Sequence, residues 1–376
     1  MARVYLASPH MSDEGYEKEY IKEAFDTNWI APLGENVNKF EEEIAKYVNA
    51  KSAAALSSGT AAIHLAIKAA GVKKGDVVFC QSLTFSASVN PIIYENAVPV
   101  FIDSEEETWN MDPKALRKAF EKYPNAKAVI VVNLYGNPAK LEEIKSICDE
   151  YNAVLVEDAA ESLGSTLNAK QTGTFGKYGI FSFNGNKIIT TSGGGMLVSN
   201  EEEKINKARF WATQSREKEL HYEHKEIGYN YRMSNICAGI GRGQLKVLNK
   251  RIEQKTNIYN KYEEGFLNNK YIKMIPVPRN TVPNHWLSVF TISEKSDVTP
   301  IKIIEVLQAK NIESRRVWKP MHLQPVFKEF DFIKIKEKAV SEDLFEKVIC
   351  LPSDTKMTMQ EQEIIIGEIQ KLFNEK

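Results

Sequence analysis

One lysine in a glycine-rich loop has the surroundings that covalent chemistry on a carbonyl requires. Lys187 lies between an apolar stretch that ends at Phe183 and the tract Thr190-Thr-Ser-Gly-Gly-Gly195. A turn-rich loop can hold an amine partly out of water and aim it at an aldehyde, where it forms a Schiff base. The glycines would admit a flat ligand close to the backbone, and the hydroxyls of the tract can bond a phosphate.

An acid at the end of a second apolar stretch complements this lysine. Val154-Leu-Val-Glu-Asp158 has the pattern of a buried strand that ends in a carboxylate. Such an acid often only caps the next helix. Alternatively, Asp158 keeps a bound pyridine nitrogen protonated, so that the ring becomes an electron sink, and Glu161 bonds the ring hydroxyl. A lysine for an aldehyde and an acid for a ring nitrogen are what a protein contributes to pyridoxal phosphate chemistry.

Four further segments each have a structural and a functional interpretation. Ser58-Gly59-Thr60 opens a helix, either as a plain N-cap or as a site for a phosphate dianion. Phe85 is either a core residue or a ring that lies on the pyridine face. Asn230 belongs to a turn before a helix and has a functional role only if a neighbouring subunit presents it to the phosphate. His322, between two prolines, is either structural or a substrate ligand.

Composition and charge narrow the class of protein. The 376 residues carry 49 basic and 50 acidic side chains, so no overall basic field attracts nucleic acid or a membrane. Four widely separated cysteines predict neither disulfides nor a zinc site, and no other spacing indicates a metal. The N-terminal residues lack the apolar run of a signal peptide, and no stretch has the ~18 apolar residues of a membrane span. We therefore expect a soluble, cytoplasmic protein of about two domains.

Short apolar stretches alternate with amphipathic helical patterns over the first part of the chain. This alternation predicts crossover connections and an α/β fold, with a mostly parallel central sheet covered on both faces. The two strands around Lys187 are expected to form a return excursion in the same sheet. The predicted strands are Val77–Cys80, Val98–Ile102, Ala128–Val132, Val154–Val156, Tyr178–Phe183 and Met196–Val198.

The pattern changes in the last third of the chain. A charged helix over Lys250–Tyr262 is followed by prolines, a strand at His285–Ile292 and further short elements up to a final helix over Met359–Phe373. Mixed elements of this kind indicate a smaller α+β domain. We therefore predict a large cofactor-binding domain at 1–249 and a small C-terminal domain at 250–376.

Taken together, these motifs resemble the sugar aminotransferases of the DegT/DnrJ/EryC1/StrS family, and the resemblance runs nearly from end to end. It implies the fold of aspartate aminotransferase, fold type I, with pyridoxal 5'-phosphate as the cofactor and pyridoxamine 5'-phosphate as its intermediate form. The motifs that carry it are Asn28-Trp-Ile-Ala-Pro-Leu-Gly34, Ser58-Gly-Thr60, Thr84-Phe85, Glu157-Asp-Ala-Ala160, Ser182-Phe183 with Lys187, Gly228-Tyr-Asn-Tyr-Arg-Met233 and Trp318–Pro325.

The resemblance also implies a role for each matching residue. Lys187 is the catalytic residue, which binds the cofactor covalently and then shuttles the proton; lysine rather than histidine at this position favours amination over dehydration. Asn230 reaches the phosphate from the other subunit of a homodimer, so a monomer should be inactive. The other positions that match cofactor contacts are Asp158 (ring nitrogen), Glu161 (ring hydroxyl), Phe85 (ring face), and Gly59, Thr60 and Ser182 (phosphate).

Within the family, the chain looks most like the enzymes that aminate C4 of UDP-2-acetamido-2,6-dideoxy-4-hexulose with L-glutamate. Their product is UDP-4-amino-4,6-dideoxy-GlcNAc, the precursor of N,N′-diacetylbacillosamine. Gly194 stands where many relatives have glutamate. Arg316 stands where proline is expected, and it either bonds a diphosphate or faces water. Trp29, Arg315 and His322 are the positions expected to contact the substrate.

Two alternatives remain open at this point. The same chemistry on a 3-keto sugar, linked to dTDP or UDP, needs only a different orientation of the sugar ring over the cofactor. A regulator that binds pyridoxal phosphate without transferring an amine is expected to carry an effector or DNA-binding module, and the sequence has no basic recognition helix. The sequence leaves the sugar, the nucleotide, the glycan pathway and the assembly beyond a dimer undetermined.

Overall fold

The computed structural model describes residues 2–374, in which helices surround one large sheet and two small ones. The helices are α1 (Tyr16–Asp26), α2 (Glu35–Val48), α3 (Gly59–Ala69), α4 (Asn90–Tyr94), α5 (Pro113–Lys122), α6 (Leu141–Glu150), α7 (Glu202–Ala212), α8 (Asn235–Lys246), α9 (Leu248–Phe266), α10 (Pro300–Ala309), α11 (Val340–Lys347) and α12 (Met359–Asn374). The strands are β1 (Ser52–Leu56), β2 (Val77–Gln81), β3 (Val98–Ile102), β4 (Ala128–Val132), β5 (Val154–Asp158), β6 (Thr166–Leu167), β7 (Lys170–Gln171), β8 (Tyr178–Ser182), β9 (Gly195–Ser199), β10 (Ile272–Met274), β11 (Thr281–Val282), β12 (Ser288–Ile292), β13 (Arg315–Arg316), β14 (Phe332–Ile333) and β15 (Val348–Leu351).

The large sheet has the strand order β1-β9-β8-β5-β4-β2-β3-β14, and its neighbouring strands are parallel except for the two pairs that involve β9. This confirms the predicted α/β fold with a mostly parallel sheet. All six predicted strands are present, and β8 with β9 forms the expected excursion within one sheet. β4 is buried along its whole length, as a strand covered by helices on both faces must be. The two edge strands, β1 and β14, were not predicted; β1 lies beside β9, and β14 adds a short strand beside β3.

The strand register brings several polar residues to one edge of this sheet. Asp158, the last residue of β5, lies opposite Ile180 of β8. Ser182, the last residue of β8, lies opposite Gly195, which in turn lies opposite Leu56 at the end of β1. Because β5, β8 and β1 run in the same direction, their carboxyl ends meet at this edge, where ligands bind in open α/β sheets.

Helix α3 begins at the same edge, shortly after β1. Ser58 caps the helix, since its Oγ accepts a hydrogen bond of 3.0 Å from the N–H of Ala61. The N–H groups of Gly59 and Thr60 lie in the first turn, where a helix offers no internal acceptor. Most of α3 is buried against β8 and β9 and beneath α4 and α7, so the position of its N-terminus is fixed.

The C-terminal part of the chain contains an antiparallel sheet of order β10-β12-β15-β13. Apolar residues of α9, α10 and α12 share one core with this sheet. The predicted boundary at 249/250 falls inside α9, while β14 returns to the large sheet and Val4 pairs with Ile312. The division into domains at 1–249 and 250–376 therefore stays a prediction.

The helices and the cysteines were compared with the expectations of no membrane span and no disulfide. Between residues 2 and 374, no helix combines the length and the apolar character needed to cross a bilayer. The four cysteines are unpaired, and all except Cys237 are buried. The expected cytoplasmic location stays a prediction.

Candidate active site

A cavity of about 470 Å³ opens at the carboxyl edge of the large sheet. Its volume lies in the range typical of small-molecule sites. One wall comes from the large sheet and α3, and the other includes Trp286 and Trp318 from the C-terminal part of the chain. Eight of the residues predicted from the sequence line this cavity: Gly59, Thr60, Phe85, Asp158, Glu161, Ser182, Lys187 and Arg315.

Lys187 projects into the cavity and is largely shielded from water, with 12% of its side chain exposed. Its Nζ lies 3.7 Å from Oε1 of Glu161 and 4.0 Å from the centre of the Trp286 ring. The lysine follows a turn in which its own N–H donates to the carbonyl of Asn184 at 2.9 Å. The amine is therefore held between an acid and an aromatic face, as the sequence interpretation of this loop requires.

Asp158 is a buried carboxylate with a defined set of partners. Its Oδ2 accepts a hydrogen bond of 2.7 Å from Ser88 Oγ, and its Oδ1 accepts one of 3.2 Å from the N–H of Ala160. Burial raises the pKa of this carboxyl, while the bonds from Ser88 and Ala160 and the charge of Lys187 oppose the rise. A further cation nearby would favour the charged form. The protonated ring nitrogen of pyridoxal phosphate would supply one, so this end of the cavity fits the cofactor.

Glu161 is the second buried acid of the cavity. Its Oε2 accepts a hydrogen bond of 2.7 Å from the N–H of Tyr135, a residue in the left-handed region with φ of 56°. Burial raises the pKa of Glu161, and the charge of Lys187 is the largest effect that lowers it. The indole N–H of Trp318 also lowers this pKa, although it makes no hydrogen bond of normal geometry. Glu161 thus lies where an acid can stabilise the ammonium form of the lysine.

The opposite end of the cavity suits a phosphate. The N-terminus of α3 opens into it, and the free N–H groups of Gly59 and Thr60 together with the helix dipole favour a dianion there. Ser182 is close by, because a Cβ added to Gly59 would lie 3.2 Å from the Ser182 Cβ. The residues present therefore fit the phosphate as well as the ring of the cofactor.

The glycine tract divides into two parts: Gly193 and Gly194 line the cavity, where a flat ligand could approach the backbone as predicted, whereas Gly195 faces the start of α3. A Cβ on Gly195 would lie 2.3 Å from the carbonyl of Ser58, so this glycine lets β9 approach the start of α3 rather than a ligand. Thr190 Oγ1 donates to the carbonyl of Phe183 at 3.1 Å, and Thr191 Oγ1 donates to that of Gly193 at 2.9 Å. These two hydroxyls stabilise the loop itself, and neither threonine lines the cavity.

Two predicted residues lie on the surface away from the cavity lining. Trp29 is half-exposed, and its carbonyl accepts a hydrogen bond of 2.9 Å from Asn235 Nδ2. Asn230 is exposed and pairs through its backbone with Thr213. Within a single chain, neither residue belongs to the site. Their roles in binding stay predictions that depend on a second subunit.

His322 is also absent from the cavity lining. Its Nδ1 lies 2.7 Å from Ser82 Oγ, and its Nε2 lies 3.2 Å from Glu342 Oε1. The ring stacks on Phe332 with 3.6 Å between centroids, and burial lowers the pKa of the imidazole in spite of the nearby Glu342. Both ring nitrogens are thus engaged within the chain, and contact with a substrate stays a prediction.

Arg315 lies at the rim of the cavity, where its guanidinium is 68% exposed and pairs with Glu313 at 2.8 Å. The adjacent Arg316 takes neither of the roles considered from the sequence. Its Nε donates to the carbonyl of Phe345 at 3.1 Å, and its guanidinium carbon lies 3.7 Å from the centre of the Phe345 ring. Both arginines belong to β13, so the backbone here is a strand and not the turn that a proline would favour.

Four residues of the site have no role in the sequence analysis. Ser88 bonds Asp158, and three aromatic rings form a row beside the lysine. Tyr135 stacks on Trp286 at 6.2 Å and on Trp318 at 6.4 Å, and Trp318 contacts Phe85 at 5.2 Å, measured between ring centroids. Their partners lie far away along the chain, so no local spacing identifies them. Only Trp318 gave a signal, because it opens the motif Trp318–Pro325, and that motif did not place its ring beside the lysine.

A shielded lysine beside an acid, a buried carboxylate and a free helix N-terminus, at the carboxyl edge of a mostly parallel sheet, define a pyridoxal phosphate-dependent aminotransferase. Comparison with known sequences gives the particular group. Residues 12–370 match the profile of the DegT/DnrJ/EryC1/StrS aminotransferase family, and the chain belongs to this family. The resemblance inferred from the motifs is therefore confirmed, and pyridoxal phosphate is the cofactor.

Individual relatives cover nearly the whole chain. EpsN of Bacillus subtilis (strain 168), a proposed pyridoxal phosphate-dependent aminotransferase, is 53% identical over 377 residues, with 99% of this chain and 96% of EpsN covered. GDP-perosamine synthase of Escherichia coli O157:H7 is 34% identical over 372 residues, with 99% and 100% covered. The pyridoxal phosphate form of the sugar aminotransferase Spr1654 of Streptococcus pneumoniae, whose role is itself a proposal, superposes with a TM-score of 0.90 at 22% identity, with 99% of each chain covered. That structure shows the same fold.

Proposed function

We propose that this aminotransferase moves the amine of L-glutamate to the C4 ketone of a nucleotide sugar, UDP-2-acetamido-2,6-dideoxy-4-hexulose. The product would be UDP-4-amino-4,6-dideoxy-GlcNAc. The observation that supports transamination is the cavity in which Lys187, Asp158, Glu161 and the N-terminus of α3 converge. The identity of the sugar is inferred from the motifs around Trp29 and Trp318. A relative named GDP-perosamine synthase is 34% identical, which supports a nucleotide sugar as the substrate but not the choice of UDP.

The chain provides a group for each requirement of the reaction. Pyridoxal phosphate, when bound, supplies an electron sink for the charge left when a proton leaves the carbon that bears the amine. Lys187 is the nearby base for that proton, because its Nζ is shielded from bulk water yet mobile at the end of four methylenes. Glu161, 3.7 Å away, stabilises the lysine while it holds the proton. Asp158 pairs with the ring nitrogen, and the start of α3 fixes the phosphate.

The rim of the cavity suits a charged nucleotide. Arg315 is the exposed cation there, and a guanidinium can bond a diphosphate through two parallel hydrogen bonds. Phe85 and Trp318 provide flat apolar surface between the rim and the lysine. We propose that the diphosphate contacts Arg315 and that the sugar lies against Trp318, while Phe85 faces the pyridine ring of the cofactor.

The substrate is tested by incubating the purified protein with glutamate and a panel of nucleotide sugars. We expect amination of the UDP-linked 4-keto sugar, with an NMR spectrum of the product that places the nitrogen on C4, and formation of 2-oxoglutarate. GDP-linked 4-keto sugars and dTDP- or UDP-linked 3-keto sugars serve as comparisons. A product with nitrogen on C3, or preference for the GDP-linked sugar, would contradict the proposed substrate but not transamination. Absence of 2-oxoglutarate with every sugar would contradict transamination and favour a regulatory role.

We further propose that two chains form a homodimer with shared sites. Asn230 is exposed and lies outside the cavity of its own chain, which is what a residue that serves the other subunit requires. Large apolar side chains are also exposed near it in the sequence and near Trp29, and such side chains could be covered by a second chain. These side chains are Ile30, Leu33, Leu220, Tyr222 and Ile227.

Mixed dimers test whether the sites are shared. Lys187→Ala and Asn230→Asp should each lower activity, the second because an added negative charge repels the phosphate. In an equal mixture of the two variants, half of the dimers contain one chain of each kind. If the two residues serve one site from different subunits, each mixed dimer has both substitutions in one site and none in the other. Activity should then recover to about a quarter of the unaltered value, by statistical pairing of subunits. Recovery no greater than the sum of the two separate variants would show that Asn230 serves its own chain.

A further inference from the structure

The loop that carries Lys187 is attached to the rest of the protein by a tryptophan from a distant part of the chain. The indole N–H of Trp286 donates a hydrogen bond to the carbonyl oxygen of Asn186 at 2.7 Å. The centre of the same ring lies 4.0 Å from the Nζ of Lys187. One side chain therefore contacts both the backbone just before the lysine and its charged end. Asn184 and Asn186 are exposed, whereas Ile188 and Ile189 are buried, so burial holds the loop after the lysine but contributes little just before it.

Trp286 is itself held from several sides. It is 2% exposed, its backbone N–H donates to Asn284 Oδ1 at 2.9 Å, and its backbone carbonyl accepts a hydrogen bond of 3.0 Å from Lys255 Nζ. Tyr135 stacks beside the indole with an interplanar angle of 21°. Asn284 is in turn anchored, since its Nδ2 donates to the carbonyl of Glu161 at 3.0 Å. A side chain fixed in this way is a rigid support for the exposed part of the loop just before the lysine.

We propose that Trp286 is a positioning residue for Lys187: its N–H fixes the loop, and its ring face supports the ammonium. The inference rests on the proposed function, because it assigns Lys187 to the aldehyde of the cofactor. In that capture the neutral amine adds to the aldehyde carbon, a carbon–nitrogen double bond replaces the carbon–oxygen bond, and water leaves. The rate depends on how often the amine points at the carbon, which a loosely held loop would reduce. When the lysine is free and protonated, the indole face attracts it.

Two replacements of Trp286 separate the hydrogen bond from the ring. β-(3-Benzothienyl)alanine at position 286 keeps the shape and the aromatic face but has sulfur in place of the N–H, and Trp286→Phe shortens the ring as well. Rapid mixing of cofactor-free protein with pyridoxal phosphate measures capture as the growth of visible absorbance. We expect capture to slow by about tenfold with the analogue and further with phenylalanine, because the loop samples more orientations.

Pyridoxamine phosphate provides a second readout, because it lacks the aldehyde and cannot be captured by the lysine. Its Kd should stay within about twofold of the unaltered value in the analogue protein, since the analogue preserves the shape of the cavity. Trp109→Phe, a change at another buried tryptophan outside the cavity lining, should alter neither measurement.

Each outcome decides the proposal. Capture at the unaltered rate in the analogue protein overturns it, and so does a parallel loss of affinity for pyridoxamine phosphate, which would mean that the indole shapes the cavity instead of the loop. The analogue keeps the proposal testable if the phenylalanine variant does not fold. Failure of the unaltered protein to capture pyridoxal phosphate would remove the proposed function and this inference together.

Discussion

Replacement of Lys187 by alanine is expected to lower the rate of transamination by about 10⁴-fold or more, because one side chain supplies both the covalent link and the proton transfer. Cofactor-free Lys187→Ala protein mixed with pyridoxal phosphate should not develop the visible absorbance of a lysine-bound cofactor. It should still bind pyridoxamine phosphate, because Asp158 and the start of α3 are unchanged. Absorbance spectra and 2-oxoglutarate formation measure the two effects.

Two other lysine variants complete this experiment. Lys187→Arg keeps a positive charge beside Glu161 but cannot form the covalent link, so we expect it to be as inactive as the alanine variant. Lys177→Ala removes a surface lysine that pairs with Glu201 at 3.0 Å, and it should retain full activity and absorbance. Normal turnover in either variant of Lys187 would rule out its assigned role.

Asp158→Asn is expected to weaken cofactor function without weakening the cofactor-free fold. Burial raises the pKa of this carboxyl above the ~3.9 of an exposed aspartate. The folded protein therefore binds the proton more tightly than the unfolded chain does. The contribution of this carboxyl to stability falls as the pH rises from the pKa of the unfolded chain through the higher pKa of the folded protein. At neutral pH the buried charge opposes folding, so the asparagine variant without cofactor should be as stable as the unaltered protein or about 1 kcal/mol more stable.

With the cofactor present, Asp158→Asn is expected to be harmful instead of neutral or stabilising. The carboxylate compensates the protonated ring nitrogen, so its loss should lower turnover by about 10²–10³-fold, the size of effect seen when a positioned electrostatic partner is removed. The increase in Tm on addition of pyridoxal phosphate should shrink, because that increase follows the affinity. Thermal unfolding with and without cofactor, together with turnover, measures both.

Comparison variants separate the charge from its surroundings. Ser88→Ala keeps the carboxylate and removes the 2.7 Å bond to it, so its effects on turnover should be smaller than those of Asp158→Asn. Asp149→Asn, at an exposed carboxyl paired with Lys145, should change nothing by more than the error of measurement. Turnover and cofactor affinity of Asp158→Asn within twofold of the unaltered values would refute the role of the charge.

Lys187 and Asp158 were the most predictable residues of the cavity, for a local reason. Asp158 ends the buried strand β5 and Lys187 follows β8, and the carboxyl ends of parallel strands are brought together by the fold itself. The N-cap at Ser58 is likewise local, since the side chain bonds a backbone N–H three residues ahead. Once the alternation of strands and helices indicates a parallel sheet, Asp158 and Lys187 must lie at one edge, whereas the place of Ser58 beside them depends on β1, which the sequence pattern did not predict.

The roles assigned to Gly195, to the hydroxyls of Thr190 and Thr191 and to Arg316 illustrate where sequence reasoning fails. Composition shows that a glycine is present but not which atoms approach it, and at Gly195 the approaching atoms belong to Ser58. Hydroxyls near a lysine suit a phosphate in general, yet those of Thr190 and Thr191 bond carbonyls within their own loop. Arg316 lies over Phe345, which is 29 residues further along the chain.

The amino-acid sequence by itself determined the fold class, the ends of the central strands and the identities of the lysine and the acid, because each of these follows from periodicity or from short-range bonding. Only the tertiary structure decided which side chains support them. Ser88 meets Asp158 across 70 residues of chain, and Trp286 meets Asn186 across 100. Such pairs are chosen by the packing of whole elements, which fixes distances that no local pattern encodes.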